Sequence, residues 1–264
     1  MKPIFFLSTL ILVALMPLTG VAKSKVVWKT VSYKAPDGLT CKGYVAYDSG
    51  KKGKLPVMLV VHEWWGCNDY ALKRAMMFAE LGYYAMAVDL YGDGKVAANP
   101  TEAQALTAPF YQNPKLGLVR LEAAKEELKK HDRADLTNIS AVGYCFGGSM
   151  VLNSVGLGSN LKAAVAFHPS LNGLFPPREG NTCRVLICHG KSDVFVKAED
   201  VLSYRSSLDK AKINYKFIEY ENATHAFTNP SSTETGKKFN MPISYNEEAD
   251  KKSWKDMKEF LGSL

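Results

Sequence analysis

The sequence lacks the cysteine arrangements that mark metal centres and dithiol redox sites. Its five cysteines, at positions 41, 67, 145, 183 and 188, form no C-x-x-C pair and belong to no Cys/His cluster with ligand spacing. A metal site and a thiol–disulfide oxidoreductase are therefore disfavoured. Because the number of cysteines is odd, at least one thiol stays free even in an oxidising compartment. Spacing alone does not decide whether any of the others form a disulfide.

The chain also lacks an arginine-rich block and a basic surface interleaved with aromatic residues. Its net charge of +7 over 264 residues is mild, and the lysines are spread over several segments. Nucleic acid is therefore not an expected partner. Composition marks no second domain, and 47% hydrophobic residues suffice for one large core. We expect a single domain over residues 23–264.

A long apolar run occupies the N-terminus. Lys2 precedes the apolar stretch 4–16, which is followed by Pro17 and the small-residue exit Gly20-Val21-Ala22. This pattern is typical of a secretory signal peptide over residues 1–22, cleaved after Ala22. The stretch is too short, and too soon followed by polar sequence, to favour a membrane span. We expect a secreted or periplasmic protein with no stable membrane span after cleavage.

Short apolar segments alternate with helix-compatible segments from Pro56 onward. Continuous apolar runs are typical of strands buried on both faces of a parallel sheet, and the alternation indicates repeated βαβ units. Two alternating stretches around Pro36-Asp37-Gly38 predict an N-terminal β-hairpin. The predicted strands are 26–33, 39–47, 57–61, 84–88, 139–143, 163–167, 184–188 and 214–220, and the predicted helices are 69–81, 115–131, 146–157, 198–212 and 245–263. The fold class is α/β, with a mostly parallel central sheet flanked by helices on both faces.

A nucleophile elbow follows one of these strands. Residues 143–147 read Gly-Tyr-Cys-Phe-Gly, between an apolar run and a helix-compatible segment. The two glycines let the strand turn sharply into the helix, which leaves the central side chain exposed in a strained backbone. The helix dipole and free N–H groups stabilise a thiolate there, so Cys145 is the predicted nucleophile. The alternative for this pentapeptide is a glycine-rich turn that holds a buried structural cysteine.

The chain order nucleophile, acid, histidine assigns the other members of a catalytic triad. Asp193 ends the motif His-Gly-Lys-Ser-Asp after the strand 184–188, and His225 follows the last strand. His189 lies only four residues before Asp193, and His168 precedes the acid, so both are expected as site-wall or locally hydrogen-bonded residues. The carboxyl ends of parallel strands meet at one edge of the sheet. The sequence therefore predicts a Cys145–His225–Asp193 triad at that edge.

Four motifs together resemble the dienelactone hydrolase family of α/β-hydrolases. They are Gly143-Tyr144-Cys145-Phe146-Gly147-Gly148, His62-Glu63-Trp64-Trp65-Gly66, His189-Gly190-Lys191-Ser192-Asp193 and His225-Ala226-Phe227, and the resemblance extends over about residues 28–262. Cysteine at the elbow makes the resemblance specific, because most of the superfamily carries serine. It implies the α/β-hydrolase fold and an enzyme that hydrolyses carboxylic esters or lactones without a metal or organic cofactor.

The resemblance also implies roles for residues outside the triad. The backbone N–H groups of Trp64 and Phe146 form an oxyanion hole in this interpretation, and Glu63 lies beside the thiol and helps to deprotonate it. Cys145 attacks the carbonyl of a small-molecule ester or lactone. His225 then protonates the leaving alcohol and activates the water that hydrolyses the thioester.

The sequence departs from the family where the substrate is held. Muconate-lactone enzymes carry arginines close behind the Asp-Leu-Tyr motif and behind the catalytic histidine, where they pair with a substrate carboxylate. Here the corresponding places carry Asp93 and Asn229. We therefore expect a preference for uncharged or aromatic esters and lactones. The predicted substrate-pocket residues are Trp65, Tyr91, His168 and Phe227.

Two other functions stay open at this point. A secreted, non-catalytic binding module could use the aromatic residues and keep Cys145 as a redox-sensitive thiol, although such a module has no need of complete nucleophile, acid and base loops. On the same triad, an enzyme could transfer the acyl group to an acceptor other than water or attack phosphotriesters. The sequence does not define the natural substrate, its stereochemistry or the oligomeric state.

Overall fold

The structure, a computed structural model, describes residues 25–264. The predicted signal peptide over residues 1–22 lies outside the described residues. The elements in chain order are β1 (Val26–Lys34), β2 (Thr40–Asp48), β3 (Leu55–Val61), α1 (Asp69–Glu80), β4 (Tyr84–Val88), α2 (Pro100–Gln112), α3 (Lys115–Leu128), β5 (Ala134–Tyr144), α4 (Phe146–Gly156), β6 (Ala163–Phe167), β7 (Arg184–Gly190), α5 (Ala198–Lys210), β8 (Tyr215–Tyr220), α6 (Ser232–Phe239) and α7 (Glu247–Gly262).

The eight strands of the described residues form one sheet in the order β1-β2-β4-β3-β5-β6-β7-β8. β1 pairs antiparallel with β2, as the predicted hairpin requires, and β2 pairs antiparallel with β4. The remaining pairings, from β4 through β3 to β8, are parallel. The predicted fold class, a mostly parallel sheet with an N-terminal hairpin, is confirmed.

Alternate residues of the central strands enter two hydrophobic cores, one on each face of the sheet. Leu59 belongs to the core that contains side chains of α3 and α4, whereas its neighbour Val60 belongs to the core that contains side chains of α1 and α7. Both residues are fully buried. Because both faces are covered by helices, the parallel strands consist of continuous apolar runs and not of alternating ones. Each such side chain contributes about 1.5–3 kcal/mol through its removal from water.

Two helices, α2 and α6, are absent from the sequence prediction. Pro100 and Pro109 made the segment of α2 resemble a loop, but Pro100 occupies the first turn, where no N–H donor is needed. α6 contains Gly236, and this position requires glycine because a Cβ there would collide with the carbonyl of Ile243. Within residues 25–264, no helix is both long enough and apolar enough to cross a membrane.

The loops at the carboxyl edge of the parallel strands carry the polar residues of the candidate site. Glu63 follows β3, Cys145 follows β5, His168 follows β6, Asp193 follows β7 and His225 follows β8. Adjacent parallel strands end at the same level, so loops that are far apart in sequence meet at this edge. The fold thus gathers residues that span more than 160 positions of the chain.

Candidate active site

Cys145 lies at the apex of a sharp turn between β5 and α4. Its backbone has φ 54° and ψ −121°, in the region that favours glycine, and it is the N-cap residue of α4. Neither flanking glycine tolerates a side chain, because a Cβ at Gly143 would collide with the carbonyl of Gly147 and one at Gly147 with the carbonyls of Val61 and His62. The turn therefore needs glycine on both sides and holds the cysteine in a strained conformation.

The structure brings the three predicted triad residues together. His225 Nε2 lies 3.0 Å from Cys145 Sγ, and His225 Nδ1 lies 2.7 Å from Asp193 Oδ2. Asp193 is itself held by the backbone N–H of Phe195, which donates to Oδ1 at 2.9 Å. With Nδ1–H donating to Asp193, the imidazole presents Nε2 to the sulfur, which is the orientation a general base needs.

The electrostatics of this arrangement favour an ion pair between histidine and cysteine. Burial by itself lowers the pKa of His225, but the nearby Cys145 sulfur and the Asp193 carboxylate outweigh it and hold this pKa well above 6.5. The raised pKa favours the protonated form of His225, which lies next to a sulfur at the N-terminus of α4. Such an environment supports a thiolate, which is the nucleophilic form of cysteine.

The backbone N–H groups of Trp64 and Phe146 are available at this site. Phe146 is the first residue of α4, so its N–H has no partner within the helix. In the part of the chain that the structure describes, neither N–H donates to a protein acceptor. Two such donors on loops that meet beside a nucleophile are the components of an oxyanion hole.

Hydrogen bonds fix the backbone of the loop that carries Trp64. His62 Nδ1 lies 2.5 Å from the carbonyl of Glu63, and His62 Nε2 accepts from the N–H of Leu90 at 3.3 Å. The Tyr91 hydroxyl donates to the carbonyl of Trp64 at 2.8 Å. The loop is thereby attached to the segment after β4. The Trp64 N–H is thus presented by a backbone held at three points.

Glu63 lies in the interior behind this loop. The side-chain amide of Asn229 donates to its Oε2 at 2.6 Å, and burial raises the pKa of Glu63 to about 7. The Asn229 hydrogen bond and the charge of His225 act in the opposite direction and are outweighed. Glu63 therefore changes its charge near neutral pH while lying within electrostatic reach of the predicted base.

The four predicted pocket residues fall into two groups. Trp65 lines a cavity of about 860 Å³ and packs against Phe239 at 6.0 Å between ring centroids, whereas Tyr91 packs on the Phe146 ring at 5.8 Å. His168 and Phe227 are fully buried beneath the elbow, with their rings 5.3 Å apart. Their expected position on the pocket wall is wrong, because both side chains turn inward to pack between β6 and the loop after β8.

Asp93 and Asn229, which stand where related lactone enzymes carry arginines, line the same 860 Å³ cavity as Trp65. The cavity is therefore uncharged or acidic at these two positions. Lys95 approaches Asp93 at 3.8 Å, but both side chains are half exposed. An ion pair this exposed is worth little.

Two exposed aromatic residues near the triad are missing from the sequence prediction. Phe195 is 52% exposed with its ring 5.4 Å from that of His225, and Tyr111 is 57% exposed with its ring 6.0 Å from that of Phe146. Phe195 follows the predicted acid by two residues, which is a usable signal. Tyr111 belongs to α2, which the sequence did not predict, so its position near the elbow was not predicted either.

The other four cysteines are chemically separate from Cys145. All five thiols are free, and Cys41, Cys67, Cys183 and Cys188 are buried. Burial raises the pKa of each of these four thiols. Cys145 is only partly buried. It is therefore the thiol that solvent and substrate reach.

The fold and the site define the class of the protein. A nucleophile elbow after β5, an acid after β7 and a histidine after β8 on a mostly parallel sheet define an α/β-hydrolase. A sequence model of the dienelactone hydrolase family matches residues 41–264. The chain belongs to the dienelactone hydrolase family and is a hydrolase acting on ester or lactone bonds. The family predicted from the four motifs is confirmed.

Individual relatives are distant in sequence and close in structure. Protein usf of Aquifex pyrophilus is 27% identical over 201 residues, which are 73% of this chain and 84% of that protein. A dienelactone hydrolase-like promiscuous phosphotriesterase from metagenomic libraries is 29% identical with a TM-score of 0.82, covering 90% of this chain and 98% of that one. The structure of m3DLH is 28% identical with a TM-score of 0.84 and the same coverage.

Proposed function

We propose that the protein hydrolyses carboxylic esters or lactones through a Cys145–His225–Asp193 triad and an acyl-thioester intermediate. The observation that carries this proposal is the 3.0 Å contact between Cys145 Sγ and His225 Nε2, with His225 held by Asp193 at 2.7 Å. An accessible thiol at a glycine-flanked elbow, paired with an oriented imidazole, is the arrangement of an activated nucleophile.

In the first half of the reaction, the Cys145 thiolate attacks the substrate carbonyl. The carbonyl oxygen of the tetrahedral intermediate accepts hydrogen bonds from the N–H groups of Trp64 and Phe146. One such donor is worth about 3 kcal/mol of transition-state stabilisation. His225 carries the proton that the departing alkoxide needs, so the carbon–oxygen bond breaks as the alcohol leaves and the thioester remains.

In the second half, neutral His225 accepts a proton from water as that water attacks the thioester. Collapse of the second tetrahedral intermediate breaks the carbon–sulfur bond and returns the thiolate beside a protonated His225. We assign Glu63 an auxiliary role in keeping the thiol deprotonated. Its raised pKa of about 7 and the influence of the His225 charge on it support a carboxylate that exchanges charge near the catalytic pair.

The substrate is proposed to be uncharged near the scissile bond and preferably aromatic. Lys42 is the cationic residue in the lining of the 860 Å³ cavity, and Asp69 and Asp93 also line it, so the lining carries no net positive charge and Asn229 adds none. Around the triad, the exposed rings of Tyr111 and Phe195 offer apolar surface to an acyl or leaving group. Burying such surface is worth about 25 cal/mol per Å², whereas a substrate carboxylate gains no cationic partner from Asp93 or Asn229.

A panel of chromogenic esters and lactones tests this proposal, assayed with purified protein and its Cys145→Ala variant. We expect an initial burst of released alcohol equal to the enzyme concentration, together with an acyl adduct of the matching mass on Cys145. Cys183→Ala removes a buried thiol and serves as the matched control, with the adduct retained. An unchanged rate in Cys145→Ala would place the nucleophile elsewhere.

A second activity, attack on phosphotriesters, is favoured by one comparison. The promiscuous phosphotriesterase is 29% identical and covers 90% of this chain at a TM-score of 0.82. An oxyanion hole that accepts a tetrahedral carbon intermediate also accepts the oxygen of a phosphoryl group under attack. Adding organophosphate triesters to the same panel, with the same Cys145→Ala control, decides whether this chain shares the activity.

The location of the protein is likewise a proposal, and it rests on the apolar N-terminal stretch and its small-residue exit. We propose export from the cytoplasm with cleavage after Ala22, which leaves Lys23 as the first residue of the mature protein. The intact mass of protein purified from the expressing cells tests this. A mass that retains residues 1–22 would contradict the proposed cleavage.

A further inference from the structure

His168, which the mechanism above does not use, lies directly beneath the nucleophile. Its side chain is 0% exposed, and its backbone has φ 40°, in the left-handed region that is rare for a residue other than glycine. The backbone N–H donates to the carbonyl of Cys188 at 2.8 Å. A histidine held in a strained conformation and removed from water has two ring nitrogens that need partners.

The first ring nitrogen is bonded to the nucleophile itself. The backbone N–H of Cys145 is shared between the carbonyl of Phe167, at 2.9 Å, and Nδ1 of His168, at 3.1 Å. Nδ1 is therefore an acceptor, and the ring proton resides on Nε2. Burial, the charges of His225 and Arg74, and the proximity of His189 hold the pKa of His168 well below its usual range. The ring stays neutral and keeps its lone pair on the Cys145 N–H.

The second ring nitrogen is bonded to the loop of the catalytic histidine. His168 Nε2 donates to the hydroxyl oxygen of Thr228 at 2.8 Å, and Thr228 lies three residues after His225. The Thr228 hydroxyl is also 2.7 Å from the hydroxyl of Tyr70. One imidazole thus connects the backbone N–H of the nucleophile to the Thr228 side chain on the loop that carries the base.

The far end of this connection is anchored in two helices. Arg74 of α1 donates to the Tyr70 hydroxyl at 3.1 Å and to the backbone carbonyl of Thr228 at 2.5 Å. It also pairs with Asp250 of α7 at 2.6 Å. The guanidinium is almost fully buried, so these are charge-assisted bonds in the interior. The loop that carries His225 is therefore held by fixed groups and not by its own packing alone.

We propose that His168 is a positioning residue that sets the separation between Cys145 Sγ and His225 Nε2 by bonding both loops at once. This inference rests on the proposed function, because it assigns His168 to the same thiol–imidazole pair. A purely space-filling role would be met by an apolar side chain of similar volume. Both ring nitrogens instead have hydrogen-bond partners, and a buried polar group without one costs about 1–3 kcal/mol.

Two amide variants separate the functions of the two nitrogens. In His168→Asn, Oδ1 takes the place of Nδ1 and accepts from the Cys145 N–H, and asparagine tolerates a positive φ. In His168→Gln, the longer amide takes the place of Nε2 and bonds to Thr228, but no acceptor remains beneath Cys145. Because His168→Asn loses the bond to Thr228, we expect it to lower kcat by about tenfold with KM unchanged. We expect His168→Gln to lower kcat by about tenfold or more with KM unchanged, because misplacement of a nucleophile by about 1 Å has effects of this size.

A second pair of variants tests the connection without altering residue 168. Thr228→Val removes the hydroxyl at nearly constant volume, and Thr228→Ser keeps it. We expect the serine variant to retain kcat and the valine variant to lose it in the manner of His168→Gln. The urea unfolding midpoint of each variant is measured in parallel. Equal kcat in both threonine variants, or kcat losses that follow the loss of stability in all four variants, would overturn the inference.

Alkylation of Cys145 by iodoacetamide gives a readout that requires no substrate. We expect His168→Gln to react more slowly than the wild type at about pH 6, where the thiolate depends on His225, and equally fast at about pH 10, where an ordinary thiol ionises unaided. A parallel decrease at both pH values would indicate reduced access and contradict the inference. If the wild type hydrolyses no ester yet shows this alkylation pattern, the proposed function fails and the positioning role stands.

Discussion

At the scale of single residues, the members of the triad contribute to catalysis to different extents. Cys145 forms the covalent bond and His225 moves the protons, so we expect Cys145→Ala or His225→Ala to lower kcat/KM for an ester by about 10⁴-fold or more. Asp193 only orients His225 and stabilises its charge. We expect Asp193→Asn to retain a larger residual rate. Steady-state kinetics on folded variants, verified by circular dichroism, provide the measurement, and an Asp193→Asn variant as inactive as His225→Ala would contradict the assignment.

Glu63 links a single ionisation to the stability of the fold. Burial raises its pKa from 4.5 to about 7. Below pH 4.5 the carboxyl group of Glu63 is protonated in both the folded and the unfolded chain. Between 4.5 and about 7 only the unfolded chain ionises, so the free energy of unfolding falls as pH rises through this window, by about 3 kcal/mol from this group.

Glu63→Gln keeps the shape of the side chain and removes the charge. We therefore expect urea unfolding between about pH 4.5 and 7 to show a smaller decrease in stability for Glu63→Gln than for the wild type, by about 3 kcal/mol. Glu80→Gln serves as the control, because Glu80 is exposed at the C-terminal end of α1. If the free energy of unfolding changes with pH in the same way in the wild type and in Glu63→Gln, the pKa of Glu63 is not raised in the folded protein.

The residues that sequence reasoning misplaced are those whose roles depend on distant loops. Cys145, Asp193 and His225 follow strands in a characteristic order, so local sequence motifs identify them. His168 also follows a strand, yet its inward orientation depends on Thr228, which is 60 positions away. No local pattern around residue 168 distinguishes a pocket wall from a support beneath the nucleophile. Tertiary contacts decide between the two.

At the scale of elements, the strands were predictable and two helices were not. β4 and β6 are buried along their whole length, so each is a continuous apolar run. α2 has a local signal that hydrophobic periodicity does not show. Asn99 accepts from the N–H of Glu102, and the Glu102 carboxylate accepts from the N–H of Ala98, which is a form of capping box. The sequence Asn-Pro-Thr-Glu therefore indicates the start of a helix, although it contains a proline.

The loops after β4 and β8 contribute Asp93 and Asn229, respectively, to the lining of the cavity. We expect the double variant Asp93→Arg, Asn229→Arg to shift preference toward esters with a carboxylate next to the scissile bond. Each arginine adds a charge-assisted contact, worth about 1.5–3 kcal/mol, which is tenfold or more in relative kcat/KM. A matched pair of neutral and carboxylated esters, assayed on both proteins, gives the measurement. If the unaltered protein already prefers the carboxylated ester, the substrate proposal is wrong.

At the scale of the whole molecule, two hydrophobic cores share one sheet, so neither core can unfold while the other stays intact. Leu59 and Val60 are adjacent in β3 and belong to opposite cores. The four buried cysteines are distributed over this structure, with Cys41 in β2 near one end of the sheet and Cys188 in β7 near the other. Their exposure to solvent therefore reports on unfolding at both ends.

We expect iodoacetamide to modify native protein in two separated steps. Cys145 reacts first, because it is the partly exposed thiol and pairs with His225. The four buried thiols then react together, at a rate lower by about 10³-fold or more, because a cooperative unfolding event must expose all of them. Intact-mass spectra should show species with one label and with five, and few between. In Cys145→Ala the first step should vanish and the second should add four labels at the same rate. Intermediate species with two or three labels would mean that one end of the sheet opens independently, in conflict with a fold in which the shared sheet couples the two cores.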